Sequence, residues 1–428
     1  MITVLFIGIV VLLTIGVPVA FALGGGALLA VLWQGTIPLI ALPKYMFSGI
    51  DIFAIMAVPF FILAAELMTG GALSEVLLRF ASQFVGRFRG GLGHTNILTL
   101  TFFSGISGSA LADAAGPGAI MIRMMRKDGY HPEYAAALTA ATAILGPIIP
   151  PSISMIVYAL VYPEVSPVAL MLAGVVPGIV IALAMMGINH YVSTKRGYRS
   201  SDYRPSRREF WMNTWRALPA LLMPVLILGG IASGAFTPTE ASVVAVFYAI
   251  FAGRVIYRTL TWDKLPGILS RSALMTASVL IIVSMSAAFA WVLTVSRVPQ
   301  DLSAWIVGMQ LSPIMFMLVV NVMLLIFGIF IEPLPGLLVL VPILAPIAHA
   351  MGINDLQFAI VVIVNLTMGM VTPPVGGLLA VTSVVAKVSL ASMTKELWVF
   401  LAAQLVCLAL ISTIPWISTV LPSMFGYK

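Results

Sequence analysis

The stretch Phe102-Phe103-Ser104-Gly105-Ile106-Ser107-Gly108-Ser109-Ala110-Leu111-Ala112-Asp113 decides the architecture. It lies midway through an apolar segment, residues 92–125. That segment is too long for one membrane span of about 20 residues and too short for two. A small, hydroxyl-rich turn at its centre predicts a re-entrant hairpin over about residues 92–127. Non-helical backbone at such depth is tolerated only where it is buried in protein or lines a polar cavity. The carbonyls and hydroxyls of Ser104, Gly105, Ser107 and Ser109 are hard oxygen ligands of the kind a small cation requires. The N-terminus of the returning half-helix presents N–H groups to an anion.

Composition sets that turn in a bilayer. Of 428 residues, 61% are hydrophobic and 9% charged, with a mean hydropathy of +1.10. A water-facing surface takes roughly 25% charged residues, which excludes a soluble enzyme, and a disordered or fibrous chain is excluded too. A transmembrane β-barrel would alternate polar and apolar residues over strands of about 10, and the runs here are unbroken. The fold class is an all-α polytopic membrane protein. The single cysteine, Cys407, lies in an apolar run, so neither a disulfide framework nor a thiol metal site is expected. His94, His131, His190 and His349 never pair at i, i+4, which argues against a zinc protease, and no glycine-rich phosphate loop points to ATP hydrolysis. No cofactor is expected. The first run begins at Ile2 without a basic leader and reads as part of the mature protein.

Outward from the hairpin, the first half (1–192) holds a helix–break–helix pair over 2–33, interrupted near Gly16 and Pro18. A span at 52–68, an interfacial amphipathic stretch at 73–88, and spans at 134–161 and 167–190 complete it. A basic connector, 193–216, is the only long hydrophilic stretch. The second half (217–428) then reads 218–230, 238–257, 272–293, an amphipathic piece at 299–309, a second hairpin over about 313–350, 357–386 and 397–420. One ungapped offset of 223 aligns Phe102-Phe103-Ser104-Gly105 with Leu325-Ile326-Phe327-Gly328 and Asp128-Gly129 with Met351-Gly352. It also aligns Gly146-Pro147-Ile148-Ile149-Pro150-Pro151 with Gly369-Met370-Val371-Thr372-Pro373-Pro374, and Pro18 pairs with Pro238 at 220. Chance recurrence of Gly and Pro is the competing explanation. The shared offset favours an internal repeat.

Basic residues set the orientation. A cytoplasmic connector places Arg87, Arg89, Arg123, Arg126, Lys127, the loop 254–271 and the Lys387/Lys395 turn on the same side. Only Lys44, Arg297 and Lys428 are left outside, and both termini are periplasmic. The ends of the second hairpin are neutral or acidic, hence external. The halves therefore have inverted topology, with one hairpin entering from each face, as in secondary transporters. The net charge of +7 serves orientation and contact with anionic headgroups of the lipid bilayer rather than nucleic acid.

Four breaks carry the chemistry. In the second, Pro147, Pro150 and Pro151 remove N–H donors and free upstream carbonyls, and Ser152 and Ser154 open the next half-helix. The third spans 328–335, with Gly328 and Glu332. The fourth runs from Gly369 to Pro374, with Thr367 and Thr372. Each hairpin tip opposite its own broken helix gives two oxygen-lined pockets, read as two sodium sites with an anionic substrate between them. The substrate is expected to meet Ser107, Ser109, Ser152, Ser154 and Thr372. Kinks that merely pack helices would explain any one break; four in register favour a binding site. Neither tip holds Lys or Arg, so a carboxylate would rely on helix N-termini, hydroxyls and the bound cations.

Four ionisable residues lie deep in apolar segments. Asp113 either caps the returning helix or ligates. Glu240, in Thr237-Pro238-Thr239-Glu240, belongs to a helix start. Glu332 is the better functional candidate, as a sodium ligand or a proton site. Glu66 reads as an interhelical polar contact. The stretches 73–88 and 299–309 either lie in the headgroups or serve as arms joining a moving domain to a fixed one.

At these residues the chain resembles the large membrane subunit of the tripartite ATP-independent periplasmic (TRAP) transporters. Four motifs carry the resemblance: Gly105-Ile106-Ser107-Gly108-Ser109-Ala110 followed by Ala112-Asp113; Gly146-Pro147-Ile148-Ile149-Pro150-Pro151-Ser152; Gly234-Ala235-Phe236-Thr237-Pro238-Thr239-Glu240-Ala241; and Gly369-Met370-Val371-Thr372-Pro373-Pro374-Val375-Gly376. The resemblance implies an ion-coupled importer of the bacterial inner membrane and an elevator-type motion of hairpins and broken helices against a scaffold. It also implies two partners, a small four-helix membrane subunit, not fused here, and a periplasmic substrate-binding protein. By similarity, sodium ligation falls on the tip at Ser104, Gly105, Ser107 and Ser109 with Gly146, Ile149 and Pro151. A second set is Gly328 and Glu332 with Thr367, Gly369 and Thr372. The family handles C4-dicarboxylates, sialic acids and other carboxylates. A channel or membrane scaffold would be the rival, but polarity confined to the breaks gives no continuous pore stripe. An intramembrane enzyme lacks any nucleophile–base or metal-ligand spacing.

Overall fold

The structure is a computed structural model describing residues 1–427 apart from 70–72, 199–204, 299, 302–303, 305–307, 309–310 and 375. The first apolar run is broken as its glycine and proline require. Helix α1 (Ile2–Thr14) stops before Gly16, whose φ is +86°, and α2 (Val19–Gln34) starts behind Pro18. Helix α3 (Ala41–Ile50) was not foreseen, because Pro43, Lys44 and Ser48 dilute its apolar pattern. A 3-10 turn leads into α4 (Ala57–Thr69), and the amphipathic stretch forms α5 (Leu73–Val85), which buries Leu73, Leu77, Leu78 and Phe80.

The first hairpin consists of α6 (Gly91–Ser107), α7 (Ala110–Asp113), a π-helical turn around Pro117 (Ala114–Gly118), and α8 (Ala119–Lys127). Its tip is narrower than the expected 104–109. Ser104, Gly105 and Ser107 belong to the last turn of α6, and only Gly108 and Ser109 leave the helix. Gly108 adopts φ +61°, the left-handed conformation that ends a helix cheaply when no Cβ is present. Ser109 then caps α7, its hydroxyl accepting the Ala112 N–H at 3.4 Å.

The chain continues through α9 (Pro132–Ala143), a non-helical break, α10 (Ile153–Val161) and α11 (Pro167–Arg196). The connector is less loop-like than its composition suggested. Helix α11 runs to Arg196, and α12 (Arg207–Ala232) begins behind a capping box formed by Ser206 and Glu209. Helix α13 (Pro238–Phe251) opens with the same device from Thr237 and Glu240, which agrees with the structural role read for Glu240. In α14 (Leu265–Val295), Arg271 sits more than a turn inside the helix rather than in a loop reaching from 254 to 271. The amphipathic piece at 299–309 falls largely outside the described residues.

The second hairpin joins α15 (Pro313–Phe330) to α16 (Pro333–Ala350) and is interrupted only at Ile331 and Glu332. After it come α17 (Asp355–Gly369), α18 (Gly377–Ala386), α19 (Leu390–Thr413) and α20 (Trp416–Met424). Boundaries recur at the 223-residue offset: Ser109 and Glu332 precede the returning helices, Pro132 and Asp355 open α9 and α17, and Pro167 and Leu390 open α11 and α19. Pro150-Pro151 and Pro373-Pro374 are both cis.

Seven of the described helices are long and apolar enough to cross a membrane. Large apolar side chains such as Trp33, Phe47, Ile314, Phe330 and Trp398 point outward, as a lipid-facing surface requires. Close helix approach uses small residues: a Cβ on Gly49 would collide with Ala287, so α3 lies tightly on α14. Helix α14 touches α2, α3 and α4 on one side and the returning α16 on the other. It packs beside the second hairpin and supplies one wall of the site.

Candidate functional site

The first tip rests on the break at 146–151 with no room between their backbones. A Cβ on Gly146 would lie 2.7 Å from the Ser109 carbonyl carbon and 2.9 Å from Asp113 Oδ2, and one on Gly108 would lie 3.0 Å from the Pro151 carbonyl oxygen. Asp113 is fully buried. Its Oδ2 accepts the Ser104 hydroxyl at 2.9 Å, its Oδ1 accepts the Ser107 hydroxyl, and Ser107 Oγ in turn accepts the Ser109 N–H at 3.2 Å. Of the two roles left open for Asp113, capping belongs instead to Ser109. The carboxylate ties the outgoing helix α6 to the returning α7. A buried carboxylate needs such donors, since an unpartnered one is very costly.

The second tip makes an even closer backbone contact through Gly328 and Gly369. A Cβ on Gly328 would sit 2.9 Å from the Leu366 carbonyl oxygen, and one on Gly369 would overlap the Gly328 main chain. Thr367 donates its hydroxyl proton to the Ile363 carbonyl at 2.6 Å, and Thr372 donates to Met368 at 2.9 Å. Both hydroxyls therefore keep lone pairs for another partner. Glu332 precedes α16 without capping it through its side chain and is exposed.

Main-chain oxygens at the breaks complete the polar inventory. The carbonyls of Gly105, Gly146, Ile149, Pro151 and Gly328 accept no hydrogen bond from the described residues. All but partly buried Ile149 belong to buried residues. The great majority of buried carbonyls find a partner in water, side chain or ligand, so five at two hairpin–break contacts mark places where oxygen is offered.

Both contacts open on one cavity of about 470 Å³. Gly108 and Ser109 reach it from the first tip, Glu332 and Pro333 from the second, Pro147 and Ser154 from the break at 146–151 and the helix it opens, and Met370 from the break at 369–374. The opposite wall is Ile62 and Glu66 of α4 with Leu274, Met275, Ser278 and Ile282 on one face of α14. Of the five expected substrate contacts, Ser109 and Ser154 line this cavity. Ser152 is buried beneath it, donating to the Pro147 carbonyl at 2.6 Å and capping α10, while Ser107 is bonded to Asp113 and Thr372 faces its own helix.

Two features were not anticipated from sequence. Asp113 holds the tip together, a signal present in its position one turn after the Ser109 cap. The α14 wall gave no signal, because Leu274–Ile282 reads as ordinary span. Glu66 is an interhelical contact as read, its Oε2 lying 2.9 Å from Arg271 Nε, and it also faces the cavity.

Paired helical hairpins and broken helices around a shared mid-protein cavity, in a chain with this many apolar spans, define a multi-pass membrane transporter. Residues 6–417 match the family described as tripartite ATP-independent periplasmic transporter, DctM component, and the chain belongs to that family. It is 39% identical to the sialic acid TRAP transporter large permease protein of Vibrio cholerae, covering 97% of each chain. It is 38% identical to the C4-dicarboxylate TRAP transporter large permease protein of Pseudomonas aeruginosa, covering 89% of each. These relatives are named as permeases, in keeping with a non-enzymatic role. In fold it resembles the YdaH transporter of Alcanivorax borkumensis, with a TM-score of 0.58 at 14% identity over 93% of this chain and 89% of that one.

Proposed function

We propose that this chain is the permease of a bacterial inner-membrane importer that moves an organic acid, such as a sialic acid or C4-dicarboxylate, on a sodium gradient. The observation that carries the reading is the single cavity shared by both tips and both breaks, with unbonded buried carbonyls behind it. Sodium is assigned to Ser104, Gly105, Ser107 and Ser109 with Gly146, Ile149 and Pro151, and to Gly328 and Glu332 with Thr367, Gly369 and Thr372. The substrate lies between, against Ser109 and Ser154, with Ser107, Ser152 and Thr372 shaping the floor.

Electrostatics supports ion coupling. The ionisable residues lining the cavity are Glu66 and Glu332, and Arg271 offsets only the first. An anionic substrate entering such a cavity is repelled until cations join it. In this reading the halves 1–192 and 217–428 are inverted repeats, the connector is cytoplasmic and both termini are periplasmic. The hairpins and breaks form an elevator-type transport domain sliding along α4 and α14. The partners are a small four-helix membrane subunit and a periplasmic binding protein that delivers the acid.

The test is uptake into proteoliposomes holding the chain with both partners, using labelled sialic acid and succinate as probes. An inward sodium gradient is expected to raise uptake of one probe at least tenfold over a potassium control. Equal uptake driven by a proton gradient alone overturns sodium coupling.

A further inference from the structure

The cleft between α5 and α12 is a second polar site, away from the cavity. It measures about 190 Å³ and is lined by Glu75, Val76, Arg79, Asn213 and Arg216. Glu75 and Arg79 are one turn apart on α5, as are Asn213 and Arg216 on α12, so each helix turns one polar face into the cleft. Three other arginines are engaged: Arg196 pairs with Glu396 at 2.7 Å, Arg271 with Glu66 at 2.9 Å, and Arg254 donates to the Leu260 carbonyl at 3.0 Å. Among the described residues, neither the Arg79 nor the Arg216 side chain makes an ion pair or hydrogen bond, although both converge on one cleft.

We propose that this cleft binds the phosphate of an anionic phospholipid headgroup between Arg79 and Arg216. Two guanidinium groups and the Glu75 carboxylate leave one net positive charge, which matches the single negative charge of a phosphodiester. Paired arginine forks suit phosphate oxygens. The depth is right for a lipid. Arg216 is the last charged residue of α12 before its apolar stretch, and Trp211 and Trp215 stand exposed beside it on the same helix. Tyr257 donates its hydroxyl to the Arg216 carbonyl at 2.8 Å at the same level. Helix α5 is amphipathic with its apolar side packed inward, the arrangement of a helix lying in the interface. Gln83 donates to Thr214 at 3.1 Å, closing the α5–α12 seam further along. A soluble phosphate would meet the same arginines but would make no use of the tryptophans and the apolar flank. Basic pockets between membrane helices are established receptors for acidic headgroups.

The occupant matters mechanically, because α5 leads into the first hairpin and α12 packs against both α5 and α6, with Pro224 beside Gly105. Native mass spectrometry of the purified full chain, equilibrated with phosphatidylglycerol vesicles, phosphatidylcholine vesicles or millimolar inorganic phosphate, tests the assignment. Phosphatidylglycerol adducts are expected at least fivefold above phosphatidylcholine adducts and fall to that level in R79Q/R216Q. The single variants R79Q and R216Q are each expected to lower them about threefold, and they decide the matter if the double variant does not fold. R123Q/R126Q, which removes charge from α8, leaves them unchanged. Wild-type retention in the folded Arg79 and Arg216 variants overturns the site, as does an equal loss in R123Q/R126Q. Displacement of the lipid by inorganic phosphate overturns the lipid as occupant.

Discussion

The two hairpin tips occupy equivalent positions in the chain yet are built from different chemistry. The first carries serines at 104, 107 and 109, and a buried carboxylate, Asp113, that gathers two of their hydroxyls. The second carries Gly328, Ile331 and Glu332, turns its carboxylate to the cavity, and relies on main chain packed against main chain at Gly369. The tips share their place in the chain, while backbone conformation (Gly108 at φ +61°, Ile331 at φ −124°) and side-chain chemistry have diverged. The shared part is the close approach of tip and break, and the divergent part concerns how each tip is tied.

That contrast can be broken most directly at the glycines. Gly369→Ala places a methyl group inside the Gly328 main chain, with backbone on both sides and nothing able to yield. Overpacking of this kind costs about 1–3 kcal/mol. Uptake is expected to fall more than tenfold with a lowered melting temperature, and a fully active G369A would show that the contact is dispensable. A smaller effect separates the carboxylates. Asp113→Ala removes the Asp113 acceptor of the Ser107 hydroxyl and one of two acceptors of Ser104, whose hydroxyl also reaches the Leu100 carbonyl at 2.7 Å. A buried polar group left without its partner costs roughly 1–3 kcal/mol. Glu332→Ala, at an exposed position, is expected to leave the melting temperature in choline chloride unchanged. Thermal unfolding of both variants in sodium chloride and choline chloride checks this, and equal losses would erase the distinction. The mildest pair is Ser107→Ala against Ser152→Ala. The first is expected to raise the sodium concentration for half-maximal uptake severalfold. The second removes a helix cap, costing about 1 kcal/mol while leaving the sodium requirement in place.

Much of this layout was legible in the chain. Glycine and proline mark where a helix cannot continue, so the breaks near Gly16, Gly108, Gly146 and Gly369 could be read directly. The capping box at Thr237 and Glu240 was equally plain. The tip at Ser104–Ser109 was read too wide because serine and glycine tolerate helix as well as turn. Tertiary packing on Gly146 and the tie to Asp113 keep Ser104 through Ser107 helical. Helix α3 was missed since Pro43 and Lys44 mask its period. The cavity wall on α14 was invisible for a deeper reason. Leu274, Met275 and Ile282 look like any lipid-facing residues, and only the neighbouring helices decide that they face a cavity.

The Gly328–Gly369 contact constrains how anything can pass. Two main chains that touch without a single intervening carbon leave no hinge gap to widen, and prising them apart would bare dry peptide groups to hydrocarbon. In the proposed elevator-type motion, tip and break would therefore move as a single piece, and the gap would open along the seam with α4 and α14.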